Sequence, residues 1–287
     1  MKILYLTIGD HVDYQNDCLL IGLKELFGTN VVDFNKQLHS YDTFDEDVAK
    51  GLYGRGMTVT RVLPDLEVDR TDIPSKIRNK YYDYVVYGSI WRYSGYLDLV
   101  LENYPTSRVV LVDGEDETTI NELYDQGVVY FKRELIYNAD RLFPISFAIP
   151  TIKVNLNRTK VKDFSYITPK DRRTYIYNNE LDYYQDYNEA RFGTTCKKAG
   201  WDCLRHYEIL ANSCIPTFEH IEACPQNTMT SFPKELCLKV NKDIENKVSF
   251  VEIYEKYIAE FENHLLRFNT TKAEATKFID TLRSLQN

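Results

Sequence analysis

Residues 2–8, KILYLTI, form an apolar run that stops at Gly9 and Asp10, and a second run, VVDF, follows at 31–34. Between them, in QNDCLLIGLKELFG, the residues Leu19, Leu20, Leu23, Leu26 and Phe27 recur at helical spacing until Gly28 stops the pattern. Strand, helix and strand in that order predict a β-α-β unit. The alternation resumes further on. YDYVVYGS reads as a strand, YLDLVLENY as a helix, RVVLVDG as a strand, ETTINELYDQG as a helix ending at Gly127, and VVYFKREL as a strand. Apolar strands alternating with helices of this length require a parallel sheet covered on both faces.

In such a sheet ligands sit beyond the carboxyl ends of the strands, which puts Gly9 and Asp10, Gly88 to Arg92, and Asp113 to Asp116 on one rim. Residues 35–80 are polar and acidic around the Gly-rich GLYGRGM, and helices and loops are expected there. After FPISFAIP the polar stretch TIKVNLNRTKVKDFSYITPKDRR reads as the connection between two domains, 1–150 and 151–287. A second alternating set begins with RTYIYNN as a strand. It continues with a helix from Tyr183 to Ala190, a helix in GWDCLRHYEILANS, and the strands CIPTF and ELCLKV. Two closing helices follow, the second capped by Thr270 or Thr271. The expected fold is α/β, with two Rossmann-like domains whose parallel sheets face a central cleft.

Hydrophobic residues make up 44% of the 287, enough to fill two cores of ordinary size. No early apolar run is long enough for a signal peptide or a membrane span, so the expected location is the cytoplasm. The six cysteines include no C-x-x-C pair, which leaves neither a zinc site nor a disulfide framework to expect. A net charge of -8 argues against a surface that grips nucleic acid as a whole, although a local basic cleft is compatible with it. Lys132 with Arg133 in FKREL, Lys170 with Arg172 and Arg173, and Lys197 with Lys198 are the basic candidates. The 23 tyrosines carry no assignment.

The stretch GWDCLRHYEILANSCIPTF, Gly200 to Phe218, holds the densest set of polar candidates. On a helix, Cys203, Leu204, Tyr207, Leu210 and Ala211 share one face; Asp202, Arg205 and His206 lie opposite, with Glu208 at the margin. Arg205 and Glu208 are spaced for an i,i+3 ion pair. Upstream, FGTTCKKAG reads as a loop of small and cationic residues, Thr195, Lys197 and Lys198 among them, that feeds a helix N-terminus. Free N–H groups and the helix dipole suit a diphosphate at such a place.

Glu208 to Pro216, EILANSCIP, resembles the E-A-x-A-x-G-x-P-V segment of GT-B glycosyltransferases, and its R-x-x-E-x-L-x-x-x-C-I-P form is similar to exostosin-like members. KKAGWDCLRHYEILANSCIP, FKREL and PISFAIP together resemble glycosyltransferases of phages and large viruses, including ones proposed to modify hydroxymethylated DNA bases. The resemblance implies a GT-B-like fold and transfer of a sugar from a nucleotide-sugar, a UDP-sugar first, to a hydroxyl. The acceptor implied is 5-hydroxymethylcytosine in phage DNA, with a surface glycan as the alternative, and the location is then the host cytoplasm. A non-catalytic nucleotide-sugar binder with the same two lobes is the rival of a different class.

By the same resemblance Glu208 holds the donor ribose hydroxyls, a task for an acceptor-only carboxylate. The second glutamate of retaining members is replaced by Gly200, so a retaining outcome is not implied. Lys132, Arg133, Lys197, Lys198 and Arg205 are the candidates to meet the charge on the departing diphosphate, which these enzymes stabilise without an obligatory metal. Asp202, Arg205 or His206 could touch sugar or phosphate. No cofactor is expected beyond the nucleotide-sugar itself. A literal D-x-D, Asp45 to Asp47, lies in an apparent helix start, and no metal site is expected. Asp113, Glu115 and Asp116 stand just past a strand as candidate general bases, with Asp10 and His11 after the first strand as further ones. For Asp113 a turn or helix-capping role is the alternative.

Overall fold

The computed structural model describes residues 1–9 and 11–285; the reading of Asp10 as a rim residue lies outside them. The first lobe holds a parallel sheet of β1 (Ile3–Leu6), β2 (Val31–Phe34), β3 (Tyr84–Tyr87), β4 (Val109–Asp113), β5 (Val129–Lys132) and β6 (Leu142–Pro144). Their order across the sheet is β2-β1-β3-β4-β5-β6, with β1 paired to β2 and β3 on either side. The helices of this lobe are α1 (Tyr14–Phe27), α2 (Glu46–Lys50), α3 (Ile73–Arg78) and α4 (Leu97–Asn103). The Asp13 carboxylate starts α1 by accepting from the Gln15 and Asn16 N–H groups, and Gly28, at φ 55°, ends it. Asp45 of the D-x-D triplet does the same for α2.

The second lobe contains β7 (Lys162–Phe164), α5 (Glu180–Glu189), β8 (Ala190–Cys196), α6 (Leu204–Ala211) and β9 (Ile215–Glu219). Its three strands are parallel in the order β7-β8-β9. The chain closes with α7 (Lys234–Glu245), α8 (Phe250–His264) and, after a π-helical turn at Leu265–Asn269, α9 (Thr271–Ser284). Thr270 caps α9 by accepting from the Ala273 N–H. The chain is thus α/β with two parallel sheets. Among the described residues no helix is long and apolar enough to cross a membrane, and all six cysteines are free.

Several expected elements differ. The polar stretch after FPISFAIP contains β7, RTYIYNN is not a strand, ELCLKV lies in α7, and FGTTC is the body of β8 instead of a loop. ETTINELYDQG yields only a 3-10 turn, Glu122–Gln126, closed by Gly127 in the left-handed region.

All of β1 and β4 is buried because helices cover both faces of the first sheet. One face packs on α1 and on Ala275, Phe278, Ile279 and Leu282 of α9, so the last helix returns to the first lobe. The close approach depends on Gly22 of α1, where a Cβ would overlap the Thr271 carbonyl and lie 2.8 Å from the Ala275 Cβ. A further apolar cluster crosses the junction, uniting Cys18 and Ile21 of α1 with Phe192, Leu204, Tyr207 and Phe261. Each such buried side chain contributes about 1.5 to 3 kcal/mol, so the lobes share a core as well as a cleft.

Candidate functional site

Helix α6 is wedged between the lobes. Leu204 and His206 through Ala211 are buried, and Arg205 is the one residue of the helix left partly exposed. The expected split into an apolar and a polar face is therefore corrected, since α6 is covered by β8 and β9, by α8 and the π-helical turn, and by first-lobe residues of the shared core. His206 is fully buried. Its Nε2–H donates to the Trp201 carbonyl at 2.9 Å, which leaves Nδ1 to accept from the Thr195 hydroxyl at 2.8 Å. Burial pushes the imidazole down to about 3, so it is neutral. Thr195 and His206 thus satisfy each other inside the lobe.

The start of α6 is sealed from the first lobe. Both oxygens of Glu134 accept from the Trp201 and Asp202 N–H groups at 2.9 Å, filling the place suggested by the sequence for a diphosphate. Gly200 permits the approach, for a Cβ there would lie 2.6 Å from the Glu134 Oε1 and 2.9 Å from the Asp116 Oδ1. Asp202 is buried as well, accepting from the Phe147 N–H at 2.8 Å and the Tyr207 hydroxyl at 2.9 Å. Burial raises its carboxyl to about 7, against the opposing pull of Arg133. It joins the lobes and does not open onto a ligand site.

Arg133 is the hub of this seam. Its guanidinium donates to Gly114 O (2.9 Å), Glu134 Oε1 (2.9 Å), Asp202 O (2.6 Å) and the Asp116 carboxylate, and stacks 4.7 Å from the Phe147 ring. Lys132, also buried, donates to Asp113 at 2.7 Å. The remaining positions on Asp113 are filled by Trp91 Nε1 (2.8 Å), the Tyr130 hydroxyl and the Glu115 N–H (3.0 Å). A carboxylate with four donors and no exposure is a structural counter-ion for Lys132. Glu115 is one-third exposed and pairs with Arg92 at 3.0 Å. His11 is exposed and does not line the cavity described next.

That cavity, about 380 Å³, lies between the lobes. Its walls carry Tyr14 and Tyr53 from the first lobe and Tyr175, Tyr177 and Tyr183 from the second. Three cations line it: Arg55, Lys198 and Arg205. Arg205 Nη1 donates to the Tyr175 hydroxyl at 3.2 Å, the guanidinium lies 4.8 Å from that ring, and the buried Nε has no partner among the described residues. Burial tends to raise the Tyr175 phenol, but the Arg205 hydrogen bond and charge outweigh it and hold it below its usual value. Among the described residues Arg55 donates to the Tyr177 carbonyl and the Asn178 side-chain oxygen. Among the described residues no carboxylate forms an ion pair with any of the three within 4.0 Å. Lys197 instead lies over the Trp201 ring at 5.3 Å, outside the lining.

Glu208 is the carboxylate of the cavity wall, 7% exposed. It makes no close ion pair with Arg205. Its oxygens accept from the Thr58 hydroxyl, which comes from the first lobe, and from the Tyr183 hydroxyl, both at 2.5 Å. Burial raises its carboxyl, while these two hydrogen bonds and the charges of Arg205 and Lys198 act in the opposite direction.

Of the residues singled out from sequence, the structure brings Glu208, Arg205 and Lys198 together. It assigns Lys132, Arg133, Asp113, Asp116, Asp202, Thr195 and His206 to internal contacts. Arg55, Thr58 and the tyrosine walls escaped the sequence reading; the tyrosine content and the glycines of GLYGRGM were the only signals for them. Compared with protein-family models, curated proteins and solved structures, the chain matches none.

Proposed function

We propose that the cleft binds a nucleotide-sugar and that the chain is a glycosyltransferase of GT-B type acting on a hydroxyl acceptor. The observation that carries this reading is the set of three cations, Arg55, Lys198 and Arg205, facing a tyrosine-walled cavity without carboxylate partners among the described residues. Arg55 and Lys198 are exposed, but Arg205 is largely buried with its Nε unpartnered among the described residues, and a cation in that position is costly unless an anion completes it. Aromatic walls suit the ring of a base or sugar. An acidic protein that pairs Lys132 and Arg133 internally but leaves three cations in one cavity, with Glu208 near two of them but in no ion pair, has a site suited to a diphosphate.

In the reaction, the acceptor oxygen bonds to the anomeric carbon as the bond from that carbon to the diphosphate oxygen breaks. The bonding pair leaves on the diphosphate, where Arg205 and Lys198 stabilise the added charge. The acceptor proton passes to a base on the first-lobe rim, for which His11 remains open because Asp113, Asp116 and Glu115 are held by Lys132, Arg133 and Arg92. The resemblance puts hydroxymethylated DNA first among acceptors, with a glycan as the other arm.

Titration calorimetry with UDP, UDP-sugars and other nucleoside diphosphates tests the reading. The wild type should bind at least one of them, and Arg205→Met should weaken that binding at least about tenfold with the thermal midpoint unchanged. Failure of every nucleotide to bind, or equal affinities for the two proteins, contradicts it.

A further inference from the structure

Glu208, in the wall of the cavity, meets a first-lobe residue 150 positions away, Thr58, which is buried next to the lining residue Met57. The segment 52–58 crosses from the first lobe to the second. Tyr53, Gly54, Arg55 and Met57 line the cavity on its inner side, and Tyr53 is 74% exposed on the other. Its backbone is unusual: Gly54, Arg55, Gly56 and Thr58 all have φ between 57° and 72°. For the β-branched Thr58 this conformation is strained and persists only where other contacts impose it.

Those contacts reach the second lobe: Met57 packs against its apolar cluster of Ile167, Tyr183 and Tyr187, and the others are polar. The Thr58 N–H donates to Glu180, the Thr58 hydroxyl donates to Glu208 and lies 2.9 Å from the Tyr184 hydroxyl, and Arg55 donates to Tyr177 O and Asn178. The next residue, Val59, is fully buried in the shared core and fixes one end of the segment. Gly54 packs against the Tyr14 hydroxyl so tightly that a Cβ there would overlap it.

We infer that segment 53–57, with the Thr58 side chain, is a flap over the cleft, and that the Thr58 hydroxyl holds Glu208 in place of a ligand hydroxyl. Thr58 on one oxygen and Tyr183 on the other leave the carboxylate further acceptor positions, but at 7% exposure Glu208 opens to a sugar or ribose hydroxyl when the Thr58 side chain beside it moves away. Release leaves Val59 in the core, gives up the packing of Met57 on the second-lobe cluster, and frees the backbone from the contacts that hold Thr58 in the left-handed region. The flap thereby sets ligand affinity, because the competent state is the one in which Thr58 has left. The identity of the ligand rests on the donor reading above; the release itself is a property of the chain.

The test is Thr58→Val, which keeps the shape and the branching but removes the hydroxyl, with Thr58→Ser as the control that retains it. In the free protein, hydrogen exchange at amides 53–58 should accelerate at least about tenfold in Thr58→Val, while the amides of β8 and α6 keep their rates and Thr58→Ser resembles the wild type. With a nucleotide-sugar that the wild type binds, Thr58→Val should bind about tenfold tighter. Unchanged exchange at 53–58, acceleration spread evenly over the chain, or weaker binding by Thr58→Val overturns the flap. If no nucleotide-sugar binds either protein, the donor reading fails and the exchange measurement alone decides the flap.

Discussion

Replacing Arg133 separates a structural arginine from a ligand-binding one. Arg133→Met keeps the apolar stem and removes a guanidinium that is 2% exposed. Glu134, 3% exposed, then retains only the Trp201 and Asp202 N–H groups, and the carbonyls of Gly114 and Asp202 lose their donors. Removing one partner of a buried ion pair costs about 3 to 5 kcal/mol, mostly from the charge left behind. A large fraction of the stability of an ordinary domain is at stake. Urea denaturation of the wild type, Arg133→Met, Glu134→Gln and the double variant measures both the loss and the coupling. The single arginine variant should lose about 3 kcal/mol or more, and neutralising Glu134 as well should recover at least about 1 kcal/mol of it. A loss below about 1 kcal/mol, or strictly additive effects, refutes the seam. If Arg133 instead held the donor phosphates, the variant would stay folded and lose nucleotide binding.

Two more outcomes follow from the packing. Gly22→Ala gains about 1 kcal/mol of helix propensity but drives a methyl into Thr271 and Ala275, so net destabilisation of about 1 to 3 kcal/mol is expected, with loss of exchange protection in α9; equal or higher stability contradicts the contact. The neutral burial of His206 makes stability fall as pH drops from 6.5 toward about 3, since the unfolded imidazole takes up a proton that the folded one refuses. The contribution is present above 6.5 and bounded at roughly 5 kcal/mol. Denaturation of wild type and His206→Gln across pH 4 to 8 should therefore show their difference shrinking on the acid side, and a difference independent of pH contradicts the assignment.

The first sheet was legible because its strands are short apolar runs closed by glycine or by polar residues, as in RVVLVDG, and a parallel sheet buried on both faces needs just that pattern. In the second lobe the same signals mislead. ELCLKV alternates Leu236, Leu238 and Val240, yet Cys237, Val240 and Ile244 supply the helical period that α7 uses. RTYIYNN has the composition of a strand, but Tyr175 and Tyr177 line the cavity and Ile176 is half-exposed. His206 was placed on a polar face because an imidazole is a polar group, and only the Thr195 hydroxyl and the Trp201 carbonyl make its burial affordable. Glu208, Arg205 and Lys198 could be found from local sequence. The Thr58 contact could not, because no local pattern joins residues 150 positions apart.

The most direct measurement of the central claim is mass spectrometry of products from a panel of nucleotide-sugars, each offered with hydroxymethylated DNA and with simple saccharides. The account requires an acceptor heavier by one sugar residue and release of the matching nucleoside diphosphate, with both lost in Arg205→Met. Nucleotide binding without transfer to either acceptor would contradict the glycosyltransferase reading and leave a binding protein. Transfer to a saccharide but not to DNA would retain the enzyme and replace the acceptor.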